Sequence, residues 1–487
     1  MGGRQTYNSL LLAFFLLLFA GAFAGDAQKN YGDFYGTEWY GIYMGRNKIG
    51  FSKSTFEPGG KNRWTTTTSM IMSFKVDKTA ASVNESEKRV YAGKKAELIS
   101  LEYKATNPAG NIIVEGKAES DSFLLTSTIA GQKTSRRFGR PVEILEDVMK
   151  TQLLAKENGL GINDTIRLST FVADPPIASI MSHVIIVKSR DKMIFGGVPT
   201  DVITILDSVP SMGVGGDVVI SDNGRILEQR IAGMAIIIKA EPEEIANQID
   251  ESFDLLTNNL ILVDSGPADS RLVEKATYLI SGYDISSLPQ SNATIAEKYK
   301  PDSALVTIVK DTFPDSMAAI PIANTALAEF LAPEQLIQST NPEIIKQAKE
   351  IIGGEKDPAG AAAIIIDWVY KNIKKEYSPE LSNALATLHS KKGDCGEHAA
   401  LATALLRAAG IPARIASGIV YWPEGKGFAY HAWIEAYMGK WIQMDPSWGE
   451  ISANATHIML SNGGIEKQIG SIVGAMRGMK IRFVSFE

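Results

Sequence analysis

The chain has 487 residues, 45% hydrophobic and 21% charged, with 43 Gly, 20 Pro and a single Cys. These proportions exclude a collagen, a low-complexity chain and a disulfide scaffold, and the length suits about two to four domains, each able to bury a core. Lys plus Arg number 49 against 55 Asp plus Glu, a formal net charge of −6, so there is no cationic excess to neutralise phosphates and no nucleic-acid partner is expected.

Residues 1–24 have the pattern of an export signal. Arg4 lies in a polar start, Leu10 to Ala20 is unbroken apolar sequence, and Ala22-Phe23-Ala24 forms a small-x-small cleavage site. The apolar stretch from Leu10 to Ala24 is 15 residues, short of the roughly 20 that a spanning helix needs. Removing the segment takes one Arg and no acid, so the charge goes from −6 to −7. No later stretch is long and apolar enough to span. The expectation is an exported protein, periplasmic or secreted, without a membrane span after cleavage. Such compartments oxidise thiols. The lone Cys395 is then either buried and inert or kept for its chemistry.

Strand signals dominate from Asp33 to about Asn247. Trp39–Met44 and Lys48–Phe56 flank a Gly45-Arg46-Asn47 turn, and Arg63–Lys75 is rich in Thr, Met and Phe. Lys95–Thr106 and Asn111–Glu119 flank Asn107-Pro108-Ala109-Gly110, a second turn cluster. One helix is expected to interrupt them, from near Pro141 to near Gly159. Gly213-Val214-Gly215-Gly216-Asp217 is followed by Val218-Val219-Ile220, so it reads as a hairpin turn and not as a phosphate loop. No P-loop, His-Glu-x-x-His or calcium loop is present, and one cysteine cannot build a thiolate zinc site, so neither metal nor cofactor is expected.

The pattern predicts a β-rich domain over 25–254, a transition with strands near Leu272–Ile280 and Ala304–Lys310 over 255–339, and a third region over 340–487. In that last region Asn341-Pro342 starts a helix to Ile352 that Gly353-Gly354 stops. Asp357-Pro358 starts another, to about Lys375.

Gly393-Asp394-Cys395-Gly396-Glu397-His398 opens a helix to Ala409. Asp394 is a good N-cap, and Glu397 three residues on has capping-box spacing. Cys395 falls at the first helical position, where unpaired N–H groups and the helix dipole favour a thiolate and are expected to lower its pKa. The competing reading is a small buried hydrophobe.

His431-Ala-Trp-Ile-Glu-Ala-Tyr437 alternates, with Ala432, Ile434 and Ala436 on one face and His431, Trp433 and Glu435 on the other. Trp441-Ile-Gln-Met-Asp445 alternates too. A three-residue loop Tyr437-Met438-Gly439 pairs Ala436 with Lys440, Ile434 with Ile442 and Ala432 with Met444, and sets His431 directly opposite Asp445. A two-residue loop would put His431 and Asp445 on opposite faces. Singly, His431 reads as a satisfied histidine and Asp445-Pro446 as a strand-end turn. Together with Cys395 they supply a nucleophile, a base and an orienting acid.

The run Gly393–His398, then His431-Ala432-Trp433, then Asp445-Pro446-Ser447-Trp448 resembles the core of the transglutaminase-like superfamily, over about residues 340–460. The resemblance implies an α+β fold: an N-terminal antiparallel β-rich domain followed by a papain-like transglutaminase core. It implies Cys395 as nucleophile, His431 as base and Asp445 as its partner. The expected activity is acyl transfer on protein or peptide amides, cell-envelope peptides among them, through a thioester, with the Cys395 N–H as one oxyanion donor. Gly396 stands where transglutaminases proper usually have Trp, and no calcium segment is recognisable, so hydrolysis is favoured over crosslinking. The alternative from another class is a noncatalytic peptide-binding or scaffold core. His398 reads as a capping residue, His457 as structural, and Trp433 and Trp441 as lining for a cleft.

Overall fold

The computed structural model describes residues 31–487 except 77–78, 108–109, 130–131, 175–177, 232–235, 251–252, 255–259, 290, 292, 301, 335 and 377–382, and between 463 and 477 it describes 468, 471 and 475. The expected export signal and the Pro108-Ala109 turn centre lie outside the described residues. The chain folds as two compact units, Ala80–Phe253 with the strands that precede Lys75, and Asp254–Glu487. Among the described residues no helix is long and apolar enough to cross a membrane.

The first unit is one 14-stranded antiparallel sheet built from two meanders. One runs in sheet order from Gln132–Gly139 back to Gly36–Met44, which pairs with Ile236–Ala240; the other runs from there back to Thr165–Val172. Strict alternation, as in Ser122–Ile129, buries one face around Tyr91, Leu98, Phe123 and Phe171 and leaves the other polar. The helix expected from Pro141 is two short pieces, Leu145–Val148 and Lys150–Lys156, broken at Met149. Pro141 stays outside them. Glu143, in the same segment, is tied up by Arg89, the Tyr91 hydroxyl and the Phe171 N–H, at 2.6–2.8 Å. Gly213 ends a turn, whereas Gly215 and Gly216 lie inside Val214–Ser221.

In the second unit α1 Pro342–Ile352, α2 Pro358–Asn372 and α3 Ala384–Ser390 lead to α4 Cys395–Ala408. Asn341, Asp357 and Asn383 each cap a helix by accepting a backbone N–H, and proline opens the first two. Gly353, at φ 58°, ends α1. α4 is buried from Cys395 to Arg407, with Ala at 399, 400, 402 and 404. It packs on α1, α2, α3 and on a five-stranded sheet.

That sheet contains β1 Ala413–Trp422, β2 Gly427–Tyr437, β3 Trp441–Met444 and β4 His457–Ser461, with β1 between β2 and β4 and with β3 on the far side of β2. Ala432, Ile434, Ala436, Ile442 and Met444 share one hydrophobic cluster with α4. A second antiparallel sheet, in the order Thr294–Lys300, Ser303–Val309, Lys275–Ser281, Lys480–Phe486, buttresses the loop that leads to β4. Its Tyr278 hydroxyl donates to the Ala455 carbonyl at 2.7 Å.

The β2–β3 register differs from the expected one by two residues. Ile434 pairs with Met444, Ala436 with Ile442 and Tyr437 with Trp441, so the loop is Met438-Gly439-Lys440. Tyr437 stays in the strand because its N–H donates to the Pro412 carbonyl at 2.8 Å and its ring packs edge-on against Trp441. Gly439, at φ 90°, takes the centre of the loop, not its last place. A shift of two preserves which face each side chain occupies. His431 and Asp445 therefore share a face, but as diagonal neighbours and not as a directly opposed pair.

Candidate functional site

Cys395 is the first residue of α4. Gly396 N–H donates to Asp394 Oδ1 at 2.9 Å, and Asp394 N–H donates to Glu397 Oε2 at 2.8 Å, a reciprocal cap. Glycine at 393 leaves room for the return of Glu397, whose side chain a Cβ there would overlap. The expectation of a lowered thiol pKa is corrected. Burial pushes the Cys395 thiol well up, and Asp394, Glu397 and Asp445 push it further; the N–H of Ala432 hydrogen-bonds the sulfur and works the other way. A helix terminus offers only partial charge, which low dielectric and nearby carboxylates outweigh.

Ala432, whose N–H meets the Cys395 sulfur, directly follows His431 in β2. His431 Nε2 donates to Asp445 Oδ2 at 2.8 Å. Its Nδ1 is buried and has no hydrogen-bond partner among the described residues. Burial holds the His431 pKa below its ordinary value although Asp445 favours the charged form. Asp445 Oδ1 accepts from Ser447 N–H at 2.8 Å, Ser447 Oγ at 2.7 Å and Trp448 N–H at 3.2 Å. Burial opposes the Asp445 charge, but His431 and His457 hold this carboxyl well below the usual carboxylate range. Cys395, His431 and Asp445 are 1%, 2% and 0% exposed.

A residue set aside at the level of sequence, His457, completes the cluster. Its Nε2 lies 3.3 Å from Asp445 Oδ2 and its Nδ1 3.1 Å from the Asn454 carbonyl. Asn454 is itself fixed, since its side chain accepts Thr456 N–H and Oγ1 and donates to Glu450. His457 reaches the face of His431 across β1 because residue 418 there is glycine. A Cβ at Gly418 would overlap the Ile458 carbonyl and lie 2.9 Å from both Leu460 N and the Trp433 ring. Asn454-Ala455-Thr456, a polar turn before a strand, was the one sequence signal near His457.

Trp433 and Trp441 do not line a common cleft. Trp433 is fully buried, stacked on His431 with centroids 6.0 Å apart and bonded through Nε1 to Gln443. Trp441 packs on Phe330 and under the Arg414 guanidinium at the loop end of the hairpin. Trp448, half-buried, lies 5.4 Å from the His431 ring. His398 faces two backbone carbonyls, of Asp394 at 2.6 Å and Ile373 at 3.3 Å, a structural role. Lys375 pairs through its backbone with Gly393, and burial lowers its pKa against the pull of Asp445 and Cys395. No sequence signal pointed to it.

Ligand atoms of His431, Asp445 and His457 lie within 4.8 Å of one another. Both oxygens of Asp445 and both nitrogens of His457 are already engaged by hydrogen bonds, which a cation would have to displace. The donor set fits a hydrogen-bonded chain better than a metal.

Residues 345–446 match the family model of the transglutaminase-like superfamily and form a transglutaminase-like core. An uncharacterized protein of Mycobacterium leprae (strain TN) is 27% identical over 140 residues, 26% of this chain and 48% of that protein, so the match spans about half of the relative's length. A solved "Putative Cysteine Protease" from Cytophaga hutchinsonii is similar at 17% identity and TM-score 0.31, over 45% of this chain and 85% of that one. A beta-barrel-like protein of a domain of unknown function from Brucella abortus is similar at 10% identity and TM-score 0.32, over 42% of this chain and 94% of that one. Structural likeness of this extent carries no functional weight.

Proposed function

We propose that the transglutaminase-like core makes this chain an exported cysteine-dependent acyl-transfer enzyme that cleaves protein or peptide amides. The observation that carries the reading is a half-occupied imidazole. Asp445 holds His431 Nε2, while Nδ1 stays open beside the strand residue whose N–H meets the Cys395 sulfur.

At rest the thiol and the imidazole are both neutral, as burial favours. When a carbonyl carbon approaches, His431 Nδ1 takes the thiol proton and the sulfur attacks. The oxyanion is met by the Cys395 N–H. The C–N bond then breaks, and the proton on Nδ1 leaves with the amine, giving a thioester. Water attacks the thioester, His431 takes its proton, and that proton returns to the sulfur as the acid departs. Asp445 orients the ring and stabilises the imidazolium that forms twice in each cycle. Export rests on the pattern of residues 1–24 and places the substrates among envelope or extracellular peptides.

A noncatalytic peptide-binding core is favoured by one observation, the near-complete burial of Cys395. Iodoacetamide separates the two: selective alkylation of Cys395 that is lost in His431→Ala supports the enzyme, and an inert thiol supports the binding core. The substrate test is mass spectrometry of exported proteins and cell-wall peptides incubated with wild type and Cys395→Ala. New termini that need Cys395 support hydrolysis; isopeptide bonds would replace it with crosslinking.

A further inference from the structure

The orienting carboxylate of this site has two histidines on it, not one. Asp445 Oδ2 lies 2.8 Å from His431 Nε2 and 3.3 Å from His457 Nε2. A neutral imidazole carries one N–H and one bare nitrogen. His457 faces acceptors at both positions, a carboxylate at Nε2 and the Asn454 carbonyl at Nδ1, 3.1 Å away. Asp445 accepts four further hydrogen bonds, three of them at Oδ1, an arrangement that suits an ionised carboxylate. Both His457 contacts are satisfied only if both of its nitrogens carry protons. We infer that His457 is a positioning residue: a resident imidazolium that holds Asp445 ionised between two rings and keeps His431 neutral, its Nδ1 open to take the thiol proton.

The surroundings agree. The titratable groups facing the His457 ring are Asp445 and Glu450, on the loops that follow β3, and His431 on β2; the other rings against it, Trp433 and Trp448, carry no charge. Burial opposes a charge on His457, but the two carboxylates outweigh it and the pKa is raised. Lys375, from the short strand Lys374–Lys375, bears on His431 and His398 and disfavours charge on both. His398 shows why acceptors alone are not enough. It also lies between two acceptors, but both are neutral carbonyls, and burial holds its pKa down. A carboxylate is the difference. The charge on His457 in turn disfavours a second charge on His431. The site then rests as thiol and imidazole, not as a thiolate–imidazolium pair.

The consequence for reactivity rests on the proposed Cys395–His431 chemistry; the charge on His457 does not. Two measurements on the full chain keep these apart. In the first, ¹⁵N spectra of the histidine rings in the wild type at pH 7 should show His457 with both nitrogens protonated and His431 and His398 neutral. A singly protonated His457 overturns the inference. In the second, the pH profile of Cys395 alkylation by iodoacetamide is compared between wild type and His457→Gln. Losing the neighbouring cation raises the His431 pKa, so the acid limb should move to higher pH by about one unit. A residue that only packs would lower the rate at every pH and leave the limb in place, and that result also overturns the inference. If wild-type Cys395 does not alkylate at all, the acyl-transfer reading fails, while the ring spectra still decide the charge of His457.

Discussion

Each unit of this protein buries a histidine against a carboxylate, and the two differ at the ring's second nitrogen. In the β unit, Thr170 Oγ1 lies 3.0 Å from His183 Nε2, and Asp207 Oδ1 lies 2.9 Å from His183 Nδ1. Hydroxyl, imidazole and carboxylate follow in the order of a hydrolytic triad. Yet both nitrogens are taken, Thr170 is 0% exposed, and the three residues sit on adjacent strands of one sheet. In the transglutaminase-like core, His431 has one nitrogen bonded and the other open, and the thiol comes from a helix N-terminus, not from the same sheet. A row of the right residue types is thus ordinary packing chemistry. What sets the core apart is an unspent acceptor on a fixed ring.

The comparison breaks most directly by removing each histidine. His431→Ala should reduce Cys395 alkylation and amide cleavage to background, a loss of about a thousandfold or more. His183→Gln should leave both rates within about twofold and show itself in the melting temperature, since it disturbs a buried hydrogen-bond chain worth about 1–3 kcal/mol. Loss of alkylation in His183→Gln would erase the distinction.

The next largest effect is at the carboxylates. Asp445→Asn keeps the shape but no longer holds the ring as an acceptor of its N–H, and cleavage should fall by roughly a hundred- to ten-thousandfold. Asp207→Asn should leave cleavage unchanged. Equal effects on the two variants would show that these two rows cannot be told apart by function.

Glycines under each row sharpen the contrast further. A Cβ at Gly418 would overlap the Ile458 carbonyl, and one at Gly216 would overlap the Arg230 carbonyl. Alanine at either position should destabilise its own unit by about 1–3 kcal/mol in chemical denaturation. Only Gly418→Ala should also slow alkylation, because it moves β4 and His457. Gly439→Ala is milder: beyond the chain neighbours, the nearest atom to the added Cβ is Pro314 Cγ at 3.7 Å, an ordinary contact, and the cost is the strain of φ 90°, about 1 kcal/mol.

The smallest effect is on stability against pH. Burial depresses the His431 and His398 pKa values. A depressed base adds stability that is present above its unfolded value, about 6.5, and is lost as pH falls through the folded value. His457 is raised and has the opposite sense: its contribution is present below about 6.5 and lost as pH rises through its folded value. From pH 7 to pH 5 the His431 contribution lowers the melting temperature, so His431→Gln should lose less over that range than the wild type. An equal fall in the two proteins would remove His431 from the account.

Much of the core was legible because the signals were local. Asn341-Pro342, Asp357-Pro358 and Gly353 mark helix ends where the structure has them, and Asp394 with Glu397 closes the expected box. Three readings failed for reasons beyond local reach. The β2–β3 register slipped by two because Tyr437 is held by Pro412, just before β1, a contact that hairpin patterning does not contain. The thiol pKa moved opposite to expectation because burial and three carboxylates outweigh a helix terminus. Near Pro141, the demands of the buried Glu143 network replace the single helix that the pattern suggested.

By itself, the sequence determined which residue types lie on which face: the period-two pattern of His431–Tyr437 and Trp441–Asp445 sends His431 and Asp445 to one side in any register that keeps the apolar face intact. Only the tertiary structure decided what those groups are to one another. It alone placed His457 against Asp445 across a glycine, left Nδ1 of His431 without a hydrogen-bond partner among the described residues and buried the thiol. Those are properties of low dielectric and of contacts between distant segments, and no periodicity along a chain encodes them.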